Sequence, residues 1–255
     1  MPKKYNNLLL KKDGDILIIS LNRPEQLNSL NLEIVGNLRK AFEDIRWDDS
    51  IKVVILSGNS EKSFCAGLDL KERLRMSEDE ILLSREKDII PLFHYLGEFP
   101  KPIIGAINGV ALGGGAELAL ICDIRIAVPH ARFGQTEIRW GMIPSGGGCQ
   151  RLRIIAGISA AKELIFTGKI IEAEEANSLG IYNKVVSPEE LMPEALNLGN
   201  EIAQHSYLAI KQAKRVLDFG AGISALLAFD FEASKECFYK GQAMNGHKSF
   251  KPKKS

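Results

Sequence analysis

The sequence predicts an α/β fold, with largely parallel strands in its first half and helices in its second. Three observations carry this. Short β-rich apolar runs alternate with segments of helical period up to about Ser145. Beyond Ser145 the helical period dominates. The chain has 255 residues, 45% hydrophobic and 25% charged, enough for one large core or one core with a helical appendage.

The elements follow in order. Ile16 to Leu21 (ILIISL) is a strand that ends at the turn signal Asn22-Arg23-Pro24. Leu30 to Ile45 places Leu32, Val35, Leu38, Phe42 and Ile45 at helical spacing. Val53 to Leu56 is a buried strand closed by Ser57-Gly58-Asn59. Ser77 to Leu96 reads as one helix, with Ser77 as N-cap and Glu80 completing a capping box. Pro102 to Ile107 and Ile124 to Val128 are strands, the latter interrupted by Arg125. Helices are expected over Ala160 to Phe166, Ser187 to Ala203, Ser206 to Leu217 and Ile223 to Phe238. The lysine-rich end, His247 to Ser255, is expected to fray. The division expected is 1–190 for the core with the site and 191–255 for a helical region.

Composition excludes several classes. The formal net charge is +1, from 33 basic and 32 acidic residues, which argues against a dedicated nucleic-acid binder. Cys65, Cys122, Cys149 and Cys237 show no CxxC spacing, so no zinc or dithiol motif is expected. Isolated cysteines on apolar stretches fit reduced core residues and a cytoplasmic location. His94, His130, His205 and His247 are scattered, and no metal site is expected. Met1 to Lys4 is basic, but the apolar run Leu8 to Leu10 is too short for a secretory leader. No apolar run approaches the ~20 residues that span a membrane.

The stretch GVALGGGAELAL, Gly109 to Leu120, is the first chemical clue. Glycines between a strand and a helix let backbone approach a ligand and leave N–H groups free at the helix start. Taken by itself, Gly113-Gly114-Gly115 also reads as a tight packing turn, and it is not a dinucleotide fingerprint. Glu117 adds chemistry. The apolar run after it implies a buried helix, and a buried carboxylate is costly unless paired, with a pKa driven toward neutrality. It can also be read as a helix-start glutamate facing solvent, or as an ion pair with Arg125. Glu137, in FGQTEI, follows a glycine and a possible capping Thr136, and precedes the glycine-rich GMIPSGGG. The two glutamates are 137 − 117 = 20 residues apart, so only the fold can bring them together across a water. A third loop, Ser63 to Leu70, could supply a second backbone donor beside Gly114, and two donors on one oxygen make an oxyanion hole.

FCAGLDL, KPIIGAINGVALGGGAELALICDIRIA, FGQTEI and GMIPSGGGCQRL, in this order and spacing, resemble the enoyl-CoA hydratase/isomerase (crotonase) family. The likeness runs from about residue 15 to about residue 240. It implies a crotonase-like spiral of ββα units with a C-terminal helical trimerisation region, assembled as a trimer or a dimer of trimers. It implies an acyl-CoA thioester substrate in acyl-CoA metabolism such as β-oxidation, with coenzyme A as part of the substrate and no separate cofactor. Residue by residue, the N–H groups of Leu68 and Gly114 take the oxyanion-hole positions, and Glu117 and Glu137 the two catalytic positions. Ala66, Leu68, Asp69, Leu70, Lys71 and Gly114 take substrate- and CoA-binding positions, with Lys71 near the phosphates.

Both glutamates together favour syn hydration of a 2-enoyl-CoA over an isomerase. CAGLDLKERLRMSEDE and AKELIF resemble most the methylglutaconyl-CoA hydratase branch. Three departures stand out. Leu68 replaces the commoner alanine, Ser145 follows Pro144 where many hydratases carry glycine, and the end, Met244 to Lys251, is shorter and rearranged. A competing reading takes Lys71, Arg73 and Arg75 as a basic helical stripe for nucleic acid. A solvated face or CoA-phosphate contacts explain that run better at near-zero net charge.

Overall fold

The structure is a computed structural model, described over residues 5–220 and, singly, at Lys235. In chain order the elements are β1 (Leu8–Asp13), β2 (Ile16–Leu21), α1 (Leu32–Ile45), β3 (Val53–Gly58), β4 (Ser63–Cys65) and α2 (Leu70–Arg73). Next come α3 (Glu78–Ser84), a π turn (Arg85–Ile89), α4 (Ile90–Gly97), β5 (Ile103–Ile107), β6 (Val110–Leu112), α5 (Gly114–Ile121), β7 (Ile124–Ala127) and β8 (Arg132–Gly134). A 3-10 turn (Glu137–Trp140), α6 (Gly148–Thr167), β9 (Ile171–Glu172), α7 (Ala173–Ser178), β10 (Lys184–Val185), α8 (Pro188–Ala203) and α9 (Tyr207–Gly220) follow.

Among the described residues the strands form two sheets, ordered β1-β2-β3-β5-β7-β10 and β4-β6-β8-β9. Neighbours in the first sheet are parallel except β1 and β2, and in the second except β8 and β9. Successive turns β3-β4, β5-β6 and β7-β8 each give one strand to each sheet, and helix or 3-10 turn follows: the spiral of ββα units. The first-sheet strands β3 and β5 are near-continuous apolar runs because both of their faces are covered. Ile16, Ile19, Val53, Ile55, Ile104 and Ile107 are fully enclosed, and α8 packs across this sheet.

The second sheet positions the site. Its strands are short, and three of them end at the loops singled out in the sequence. β4 leads into Ala66–Asp69, β6 into the glycine triplet and β8 into Gln135–Glu137. Cys65 pairs with Ala111, Ala111 with Phe133, and Leu112 with Gly134. Parallel register therefore brings all three loops to one sheet end.

The expected helix over Ser77 to Leu96 is two α segments joined by a π turn. Its start has the Ser77–Glu80 capping box. The wider turn precedes Pro91, which lacks the N–H a regular helix would use there. The second half of the chain is not helical throughout, since β9 and β10 return to the two sheets. The expected boundary at 190/191 falls within α8. The expected helix Ile223 to Phe238, apart from Lys235, and the end His247 to Ser255 lie outside the described residues, and with them the last part of the expected trimerisation region. No described helix is long and apolar enough to cross a membrane.

Candidate active site

All eight residues of α5 are buried, Glu117 among them at 6% exposure. The carboxylate does not pair with Arg125, whose guanidinium donates to the carbonyls of Ile181 and Cys122. Instead Glu117 Oε1 accepts the N–H groups of Gly146, at 2.7 Å, and Gly148, at 3.0 Å. A side chain at either position would crowd the site. A Cβ on Gly146 would stand 2.9 Å from Glu117 Oε2 and from the Phe93 ring, and one on Gly148 2.7 Å from Gln135 and Pro144. Burial pushes the Glu117 pKa up to about 7, and the two N–H groups with the charges of Arg85 and Arg151 limit the rise.

Glu137 opens the 3-10 turn and is half-buried beside the start of α5. A Cβ on Gly113 would be 3.6 Å from Glu137 Oε1. The link between the two loops is direct, because Gly113 N–H donates to Gly134 O at 2.8 Å. The Gln135 amide, oriented to satisfy its partners, donates to both Glu137 oxygens, 3.1 Å each. Thr136 sits at the N-cap position, but its hydroxyl makes no capping bond. Burial and the facing charge of Glu117 hold Glu137 well above the usual carboxylate range. The two N–H donors favour the ionised form of Glu117, and burial facing that charge favours the protonated form of Glu137.

Gly114 begins α5, so its N–H has no acceptor within the helix. Leu68 pairs with Leu30 in an isolated bridge, in which Leu30 N–H reaches Gly67 O and Asp69 N–H reaches Leu30 O. That leaves the Leu68 N–H on the opposite side, facing α5. It lies 3.7 Å from the position a Cβ on Gly114 would occupy. A cavity of roughly 60 Å³ joins Ala66, Leu68, Leu70, Gly114, Glu117 and Glu137, walled by Phe93, Trp140 and Met142.

Asp69 and Lys71 do not line this cavity. Asp69 pairs with Arg23 at 2.8 Å and caps α2 through the N–H groups of Lys71 and Glu72. The Arg23 charge and these bonds hold its carboxyl below the usual range against the burial that would raise it. The Lys71 side chain is exposed. The basic stripe is also revised. α2 is only four residues long and Arg73 is buried, so Lys71, Arg73 and Arg75 share no solvated face. Among the lining residues that carried no role in the sequence reading are two polar ones, Arg85, from the π turn, and Ser145, noted there only as a departure. A larger cavity, about 1000 Å³, opens at the other end of α5. Lys214 and Asp123 pair with each other in it, whereas the smaller cavity holds both glutamates, and the chemistry is assigned there. Among the described residues no three His, Cys, Asp or Glu side chains cluster to hold a metal. Cys65 and Cys122 are buried and free; Cys237 lies outside the described residues.

A model of the enoyl-CoA hydratase/isomerase family matches residues 11–255. The chain belongs to this family. It is 42% identical over 239 residues to the short-chain-enoyl-CoA hydratase of Clostridium acetobutylicum, covering 92% of this chain and 90% of that protein. It is 35% identical over 254 residues to the crotonyl-CoA hydratase of Syntrophomonas wolfei subsp. wolfei, covering 98% and 96%. The crystal structure of the enoyl-CoA hydratase from Bacillus anthracis superimposes with a TM-score of 0.83 at 37% identity, covering 96% of this chain and 92% of that one. The fold is therefore that of the family's hydratases.

Proposed function

We propose that this family member is an enoyl-CoA hydratase, a hydro-lyase that reversibly adds water syn to a 2-enoyl-CoA to give a 3-hydroxyacyl-CoA. The observation that carries this is the meeting of Glu117 and Glu137 at one small cavity beside two unspent backbone donors. The thioester oxygen sits between the N–H groups of Leu68 and Gly114. These stabilise the charge that develops there as the α-carbon takes on enolate character. Ionised Glu117 takes a proton from water as its oxygen bonds to the β-carbon, and protonated Glu137 gives a proton to the α-carbon. Both act from one side, so addition is syn. Transfer from Glu117 back to Glu137 restores the resting state, and no cofactor enters the balance.

Ala66, Leu68, Leu70 and Gly114 would hold the thioester end, with Lys71 near the CoA phosphates. Asp69 would act by shaping the loop rather than by touching substrate. The cavity's size and the names of the relatives favour a short, apolar acyl group over a methylglutaconyl one. With two glutamates at the site, hydration is favoured over isomerisation. We place the enzyme in the cytoplasm as a trimer or dimer of trimers, on the family likeness and the unpaired cysteines. Incubation with crotonyl-CoA should yield 3-hydroxybutyryl-CoA. Conversion only of 3-enoyl-CoA to 2-enoyl-CoA would instead support the isomerase.

A further inference from the structure

Arg85, Ser145 and Arg73 form a buried polar cluster beside the glutamates that the steps above leave unused. Arg85 begins the π turn, and its Nη2 donates to the Ser145 hydroxyl. Ser145 immediately precedes Gly146, whose N–H holds Glu117 Oε1. From the other side, Arg151 Nη1 donates to the Gly146 carbonyl at 3.1 Å. The backbone at 145–146 is thus tied through its hydroxyl, its N–H and its carbonyl. A run of three glycines has no side chains with which to hold a pose. Its orientation must come from neighbours, and a misplacement of a fraction of an ångström at a reacting group is costly.

A merely space-filling role is a poor account of Arg85. Burying a guanidinium is expensive, and an apolar side chain would fill the volume better. The cost is increased by Arg73, which opposes the Arg85 charge and whose Nη1 has no hydrogen-bond partner. The extra residue of the π turn gives a reason for the placement, since it re-aims the helix surface at the position where Arg85 meets Ser145.

We propose that Arg85 and Ser145 are a positioning pair, which fixes the 145–148 loop and through it the Glu117 carboxylate above the bound acyl group. This rests on the reading of Glu117 as the base. The groups facing Glu117 are Glu137 from the 3-10 turn, Arg85 from the π turn and Arg151 from α6, while Cys65 of β4 packs against Gly115 of the same helix. On α4, His94 and Glu98 pair with each other at the surface, and β5 and β6 offer no titratable side chain. Arg85 therefore favours the ionised base, and removing its charge should make the base harder to ionise.

The test is the pH dependence of crotonyl-CoA hydration by wild type, Ser145→Ala, Arg85→Met, Arg85→Lys and Glu117→Gln, with thermal melts of each. Ser145→Ala should lower kcat by about tenfold with little change in KM or melting. Arg85→Met should lose as much and move the acid limb of the profile to higher pH; Arg85→Lys should restore the limb without restoring kcat. Wild-type kcat and limb in both Ser145→Ala and Arg85→Met would overturn the pair. Should Arg85→Met fail to fold, Ser145→Ala decides: an unchanged kcat overturns the proposal, a lowered one at unchanged melting supports it. Wild-type rates in Glu117→Gln would remove the base assignment, and the pair with it.

Discussion

Glu117 Oε1 and the Gly146 N–H are 2.7 Å apart, although 29 residues separate them in the chain. This contact, with its neighbour from Gly148, offsets the desolvation of a buried carboxylate and fixes its direction at once. It also fixes the expected pH behaviour. The base must be ionised and the acid protonated, so kcat/KM should rise through the Glu117 pKa of about 7 and fall at higher pH as Glu137 loses its proton. Initial rates across pH measure this. A flat profile through neutrality would remove the carboxylate base.

The same burial makes a stability prediction of opposite sign to activity. The folded-state pKa of Glu117 lies above its ordinary 4.5, so folding favours the protonated form. Its contribution is most favourable below 4.5 and is lost as pH rises toward about 7. Glu117→Gln should therefore be more stable than wild type above neutrality, by on the order of a few kcal/mol, while losing activity. Near pH 4.5 the two should be alike. Denaturant unfolding at both pH values checks it; an equal difference at both would contradict it.

Gly146 is a steric prediction. Alanine there would place its Cβ 2.9 Å from both Glu117 Oε2 and the Phe93 ring. Gly146→Ala should cost about 1–3 kcal/mol of stability and about a hundredfold in kcat. Unfolding and steady-state rates on one preparation separate the two losses.

Gly114 allows the oxyanion donor to be removed with the helix kept. As the first residue of α5 it can be proline, which helices tolerate there and which has no N–H. Gly114→Pro should fold, by circular dichroism, and lose about 10²–10³ in kcat. Near-wild-type turnover would show that this N–H does not bind the thioester oxygen.

Much of this was legible in the sequence, for identifiable reasons. The buried strand Val53 to Leu56 read clearly because two covered faces demand an unbroken apolar run, although the strand continues through Ser57 and Gly58, which read as a turn. Ser77 and Glu80 announce a helix start by local hydrogen-bond chemistry. The short strands Ser63–Cys65, Val110–Leu112 and Arg132–Gly134 were not legible: three residues are too few to show a period, and tertiary pairing alone makes them strands. Their register is what brings Glu117 and Glu137 together, so the family likeness announces the pair while no local pattern does. Arg85 was hidden for a different reason. It stands in Ser84-Arg85-Glu86-Lys87-Asp88, which reads as a solvated helix face, and only the π turn ahead of Pro91 turns it inward. Asp69 took its binding position from the family likeness alone, and no local pattern showed that its side chain pairs with Arg23 and caps α2.

The most direct measurement is the loss of enoyl-thioester absorbance from crotonyl-CoA with wild type, Glu117→Gln and Glu137→Gln, each checked for folding. Two-glutamate hydration predicts fast turnover by wild type and a fall of about 10²–10⁴-fold in each variant. Turnover that survives Glu137→Gln but not Glu117→Gln would contradict it and leave a single-base reaction at the same oxyanion hole.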